Sequence, residues 1–128
     1  MPRRNGKQPS FSSGEVIVEY AILLPVLLMF VLGITDTGRL IWTQATLDRA
    51  VDAAARCGAI NSADCGTVSQ LQNYAVAQAY GLVIASTAFT ASTASCGVKI
   101  VASFPFTFIT PFIGLTNLTL SATACYPA

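Results

Sequence analysis

Two carboxylates, Glu15 and Glu19, stand between Gly14 and an apolar run that extends from Ala21 to Ile34. An ionised carboxylate at the mouth of a membrane-length helix is costly in hydrocarbon, so it must be neutralised or meet a cation. Glu19, followed at once by Tyr20, is therefore a candidate for recognition rather than for solvation. The other reactive groups are the four cysteines Cys57, Cys65, Cys96 and Cys125. Four thiols allow three pairings; Cys57–Cys65 and Cys96–Cys125 fit the layout of the surrounding segments best. A zinc site is the rival reading, but the chain has no His and no C-x-x-C pair, so no metal is expected. It also lacks a Cys beside a base, paired carboxylates away from helix faces, and a phosphate-cradling glycine loop. No catalytic residue and no cofactor is expected, and the chain is not read as an enzyme.

The elements that carry these groups follow from composition. The chain has 128 residues, room for one small globular unit plus an anchor. At 53% hydrophobic and 10% charged, it is neither a disordered chain nor a nucleic-acid binder. Arg3, Arg4 and Lys7 precede Gly14 with no acid among them, whereas beyond Arg56 only Asp64 and Lys99 carry charge. From Val16 to Thr35 the chain is long enough, at roughly 30 Å as a helix, to cross a bilayer core. Basic residues before the span place the N-terminus in the cytoplasm and the rest outside. A secretory signal is disfavoured because no small-residue cleavage site follows Ile34. All four cysteines then lie on the exported side, where disulfides persist.

Past the span the helix is expected to continue. Leu40, Leu47, Val51 and Ala54 fall on one side, flanked by Ile41 and Ala50, with Asp48, Arg49, Asp52 and Arg56 opposite. Asp52 and Arg56, one turn apart, can pair. Gly58 reads as a C-cap, which ends a helix of about 43 residues, near 65 Å long, with Pro25 inside it as a local bend. Asn61 to Gly66 reads as a loop. Thr67 to Tyr80 is helical, with Val68, Leu71, Tyr74, Ala75 and Ala79 on one face and Gly81 ending it. Leu82 to Ala94 fits strand or coil equally. Gly97 to Phe104 and Leu115 to Tyr126 alternate as strands, with Leu118, Leu120, Ala122 and Ala124 on one face of the second. Pro105 to Gly114, holding Phe106, Phe108, Phe112 and Ile113, reads as a hydrophobic crossover. Trp42 is expected just outside the membrane as an aromatic anchor, with Asp36 and Arg39 marking the outer interface. The fold class is α+β: a long N-terminal transmembrane-to-periplasmic helix against a small head with a second helix and an antiparallel sheet.

The segment Gly14-Glu15-Val16-Ile17-Val18-Glu19-Tyr20 resembles the prepilin processing site of the tight-adherence (Flp) branch of type IV pili. Val18-Glu19-Tyr20-Ala21, Leu24-Pro25, Gly33-Ile34 before Asp36-Thr37-Gly38-Arg39-Leu40, and the Ala-rich stretch Ala45 to Arg56 together resemble the TadE-like family of minor pilins or pseudopilins. Asp36-Thr37 departs from the pattern, because relatives often carry an aromatic after the acid. The resemblance implies that a prepilin peptidase cuts after Gly14 and frees the amine of Glu15. Glu19 and Tyr20 would then serve assembly, Glu19 by pairing with the N-terminal amine of a neighbouring subunit. It also implies as partners the lipid bilayer, an inner-membrane assembly platform, and other pilins or pseudopilins met through the N-terminal helix. Localisation would be the bacterial inner membrane, single-pass, with a periplasmic head and incorporation into a surface pilus. The expected segments are a leader at 1–14, a transmembrane helix at 15–35, its amphipathic continuation at 36–58 and a disulfide-stapled head at 59–128. The alternatives are an uncleaved, membrane-anchored periplasmic scaffold or adaptor, and a major fibre subunit. Major subunits of this branch end soon after the first helix, which favours a minor component.

Overall fold

The computed structural model describes Met1, residues 13–110, Gly114 and residues 117–128. The basic leader residues Arg3, Arg4 and Lys7, together with Phe112, Ile113 and Leu115, lie outside the described residues. The chain is α+β, as expected: a long apolar N-terminal helix followed by a head of helices and a three-stranded antiparallel sheet.

Helix α1 spans Ser13–Ile60, 48 residues, or about 72 Å at 1.5 Å per residue. Its two halves face different surroundings. Residues 14–32 are exposed along every face, although nearly all are apolar beyond Tyr20. The helix is long and apolar enough to cross a membrane, and none of its most apolar window is buried inside the protein. Among the described residues nothing in the head therefore supplies this segment with a hydrophobic partner. Farther along, Leu47, Ala50, Val51, Ala54 and Ala55 are sealed against the head. The alanines let neighbouring elements approach closely, while each fully buried Leu or Val contributes about 1.5–3 kcal/mol. Ala50, expected on the flank of the stripe, is fully buried. Ile41, expected to flank the stripe, is instead 64% exposed.

The helix does not stop at Gly58. It continues to Ile60, and Gly58 has a negative φ. A Cβ at Gly58 would meet Leu71 Cδ2 at 2.9 Å and Val98 Cγ1 at 3.0 Å. The glycine is required by close packing, not by chain reversal. After it Asn61 caps a short helix α2 (Ser62–Cys65), its side-chain oxygen accepting the Asp64 amide, where a loop was expected. The Cys57–Cys65 disulfide ties α2 to α1, with Cα atoms 5.8 Å apart.

Helix α3 (Val68–Gln78) opens with a capping box: Thr67 accepts the Gln70 amide and Gln70 accepts the Thr67 amide. Leu71, Ala75 and Ala79 face the core, whereas Val68 and Tyr74, expected beside them, are exposed. Gly81, at φ +80°, turns the chain back. A single 3₁₀ turn at Ser86–Ala88 leads into β1 (Phe89–Ala94), which resolves the ambiguous stretch as a strand.

Strand β2 spans Gly97–Thr107 and β3 spans Asn117–Tyr126, in the order β1-β2-β3. Pro105 and Phe106 thus belong to β2 and not to a crossover. The β1 partner ends opposite Ala102, so Pro105 is paired only with β3, through Thr119. Phe89, Ile100, Ala102, Phe106, Leu120 and Ala122 cover the sheet face that packs on α1 and α3. Leu118, expected on that face, is 38% exposed near the open end of β3. The Cys96–Cys125 disulfide ties the turn of the far β1–β2 hairpin to the end of β3, with Cα atoms 6.2 Å apart. Strand β2 descends alongside α1: Val98 lies beside Gly58, and Phe106 lies beside Arg39.

Candidate functional site

The residues singled out for processing and assembly occupy the first two turns of α1. Gly14 and Glu15 lie in the first turn, where backbone amides have no helical acceptor. A carboxylate at Glu15 is favoured there by the helix dipole. Among the described residues, apart from its chain neighbours and the backbone of its own helix, no atom lies within 4 Å of where a Gly14 Cβ would stand. Glu15 and Glu19, four residues apart, share a face, about 6 Å apart along the axis. Tyr20 is 68% exposed on a neighbouring face. Val26, Phe30, Gly33, Thr37 and Ile41 line a shallow groove farther along α1. At 100° per residue this groove lies on the same side of the cylinder as Glu19.

The cysteines serve the head instead. Cys65 is buried at 1% exposure, Cys96 is exposed, and no cysteine is free. Among the described residues no group of His, Cys, Asp and Glu could hold a metal ion.

A second cluster, which the sequence did not disclose, lies at the foot of the head. Asp36 is 2% exposed. Its carboxylate accepts the Ile109 amide at 3.1 Å, the Thr110 amide at 3.0 Å and the Thr110 hydroxyl at 2.5 Å. Arg39, one turn on, donates to the same carboxylate at 3.3 Å. The Thr110 hydroxyl, above all, holds the Asp36 carboxyl below its ordinary range. The amides of Ile109 and Thr110 and the Arg39 charge act in the same sense, against the opposing effect of burial. The guanidinium also lies 5.3 Å over the Phe106 ring, which meets Phe108 edge-on at 5.1 Å. Asp36 and Arg39 were expected to mark an outer interface. Asp36 is instead a buried bracket that holds the segment after β2 onto the helix. Only an Asp three residues before an Arg, at the end of an apolar run, hinted at it. Asp52 and Arg56 do not pair; the ion pair among the described residues is Arg39 with Asp36.

Beside this bracket a cavity of about 560 Å³ opens between α1, the turn after α3 and the lower end of β2. Thr35, Arg39, Trp42, Gly81, Leu82 and Phe106 are among its walls. Trp42, which lines it, is 63% exposed.

No curated protein and no solved structure matches the chain. The family model described as TadE-like protein matches residues 14–56. The match begins at the glycine beside Glu15, follows α1 through its apolar and amphipathic halves, and stops one residue before Cys57. Over this stretch of α1 the chain is similar to the TadE-like family, the family that its sequence resembles.

Proposed function

We propose that this chain is a minor pilin or pseudopilin of a tight-adherence type IV pilus, processed by a prepilin peptidase after Gly14. The observation that carries this reading is the TadE-like match beginning at Gly14, on a helix whose first turns expose Gly14, Glu15, Glu19 and Tyr20 together. The exposed apolar half of α1 anchors the subunit in the inner membrane, N-terminus in the cytoplasm and head in the periplasm. Cleavage requires local unwinding of only the first turn, the cheapest part of a helix to open. The amine released at Glu15 then lies one turn from the Glu19 carboxylate, beside the carboxylate of its own side chain. Two parallel copies staggered by about one turn, roughly 5.4 Å, would neutralise one another in lipid. The assembly platform would draw on such subunits to start or tip the fibre. The role is structural and needs no cofactor.

The head supports a minor component: it adds two disulfides and a three-stranded sheet to a helix that would suffice for a short major subunit. The test is Glu19→Ala, read for both cleavage and surface piliation. We expect the leader still to be removed and the subunit to be lost from assembly. Normal piliation would refute the role given to that carboxylate.

A further inference from the structure

The apolar half of α1 ends close to Thr35, and two loops of the head come down to that level. Ile109 donates its amide to Asp36, the residue after Thr35. Gly81 and Leu82 share a cavity with Thr35, Gly38 and Arg39. From Thr35 to Trp42 the helix climbs about 10 Å. The headgroup layer on one side of a bilayer is about 5–8 Å thick. If α1 crosses the membrane as read above, the underside of the head cannot stand clear of the headgroups. Its composition fits that position. No charged residue occurs from Ala79 to Phe89 or from Ser103 to Thr110. Val83 is fully exposed at 100%, Tyr80 at 69% and Ile109 at 55%; Tyr80 shares a pocket with the exposed Trp42, and Ile109 lies at Asp36. The head's own charges, Asp64 and Lys99, are at its other end: Asp64 on α2 and Lys99 opposite Cys125 near the far hairpin. Near the rim, Arg39 presents a half-exposed cation, while the Asp36 carboxylate beside it is buried and satisfied.

We propose that the underside of the head, formed by the Tyr80–Ile84 turn, Ile109 and Trp42, is a second membrane contact that rests in the headgroup layer of the outer leaflet. Ile109, level with Asp36, sits nearest the acyl boundary, Val83 enters the headgroup layer, Tyr80 and Trp42 take its outer edge as an interfacial belt, and Arg39 faces lipid phosphate. The head is thereby held upright against the bilayer and released only when α1 is drawn out of it. This rests on α1 being a membrane span, and the occupant it names is lipid, not a neighbouring subunit.

Trp42 is the sole tryptophan, so position can be read by fluorescence. In a Trp42→Phe background, Val83→Trp, Leu28→Trp and Thr93→Trp are placed one at a time in the full chain. Each is reconstituted in phosphatidylcholine–phosphatidylglycerol nanodiscs with acyl chains brominated either near the headgroup or deep in the core. Leu28→Trp reports the span and Thr93→Trp reports the far hairpin. We expect Val83→Trp to be quenched by the shallow bromines and to be at least roughly twofold less accessible to aqueous iodide than Thr93→Trp, as for a belt residue. Iodide access equal to that of Thr93→Trp, without shallow quenching, overturns the proposal and leaves the span intact. Shielding from iodide without any quenching by lipid also overturns it, since another protein then covers the turn. If Leu28→Trp escapes the deep bromines, the span itself fails and the proposal falls with it.

Discussion

Replacing Gly58 distinguishes two reasons for a glycine at the end of a long helix. As a C-cap, it would adopt a left-handed conformation, and Asn would be the best substitute. As a packing residue, it has helical geometry and a Cβ would stand 2.9 Å from Leu71 Cδ2 and 3.0 Å from Val98 Cγ1. Ordinary carbon contacts need about 3.5–4.0 Å, so the Leu71 and Val98 side chains must each yield by about 0.5–1 Å. Overpacking of this kind costs about 1–3 kcal/mol, and the better helix propensity of Ala returns up to about 1 kcal/mol. The net for Gly58→Ala is a loss of about 0–2 kcal/mol. Gly58→Asn adds a larger, polar side chain among Leu71 and Val98, with a further cost of about 1–3 kcal/mol for the unpaired amide. At about 4–8 °C per kcal/mol for a domain of this size, Asn should melt roughly 4–24 °C below Ala. Thermal unfolding of the full chain in detergent, followed by near-ultraviolet circular dichroism, measures the order. Gly38→Ala is the control, because nothing lies within 4 Å of its Cβ position and its melting should not fall. If Gly58→Asn melts at or above Gly58→Ala, the packing argument is wrong.

Asp36→Asn should free the segment after β2: the Ile109 and Thr110 amides, protected by the carboxylate in the parent, should exchange with solvent faster by hydrogen-exchange measurement. Because the folded carboxyl is held below its ordinary value of 3.8, its contribution is fully present above that pH and fades as pH falls through the lower folded value. The parent and Asp36→Asn should therefore differ by a constant amount above about pH 4 and converge below it; a gap that grows on acidification contradicts this sign. Removing Cys96–Cys125 as an Ala pair should cost about 3.5 kcal/mol for its separation of 29 residues, against about 2.5 kcal/mol for Cys57–Cys65 at 8. The second figure should rise toward the first by about 1 kcal/mol, because Cys65 is buried and its loss leaves a void. Denaturant unfolding of the two variants checks both the size and the near-equality.

Much of this architecture was legible because it is local. The run from Val16 to Ile34 and the helical spacing of Leu47, Val51 and Ala54 mark one continuous helix. Alternation marks β2 and β3, and the spacing of the cysteines along these segments sufficed for the pairing. What escaped depends on partners distant in the chain. The carboxylate of Asp36 is satisfied by groups 73 and 74 residues away, so nothing beside it reveals that it is buried. Gly58 reads as a cap until Leu71 and Val98 are placed against it. Strand β1 carries Thr, Ser and Ala with weak preferences of its own, and exists because β2 offers a register from Phe89↔Ala102 to Ala94↔Gly97. Val68 and Leu118 obey the right period but stand exposed near the starts of their elements, whereas Ile41 lies a third of a turn from Leu47, outside the buried stripe. The candidate site divides in the same way: Gly14, Glu15, Glu19 and Tyr20 are adjacent in sequence and visible there, whereas the bracket at Asp36 is not.

The most direct test of the account is the N-terminal residue and intact mass of the protein purified from pilus-bearing cells of its native host. Removal of the first 14 residues, with Glu15 as the new terminus, is the predicted result. A chain that keeps Met1 in those cells, unchanged by the presence of the prepilin peptidase, would contradict it.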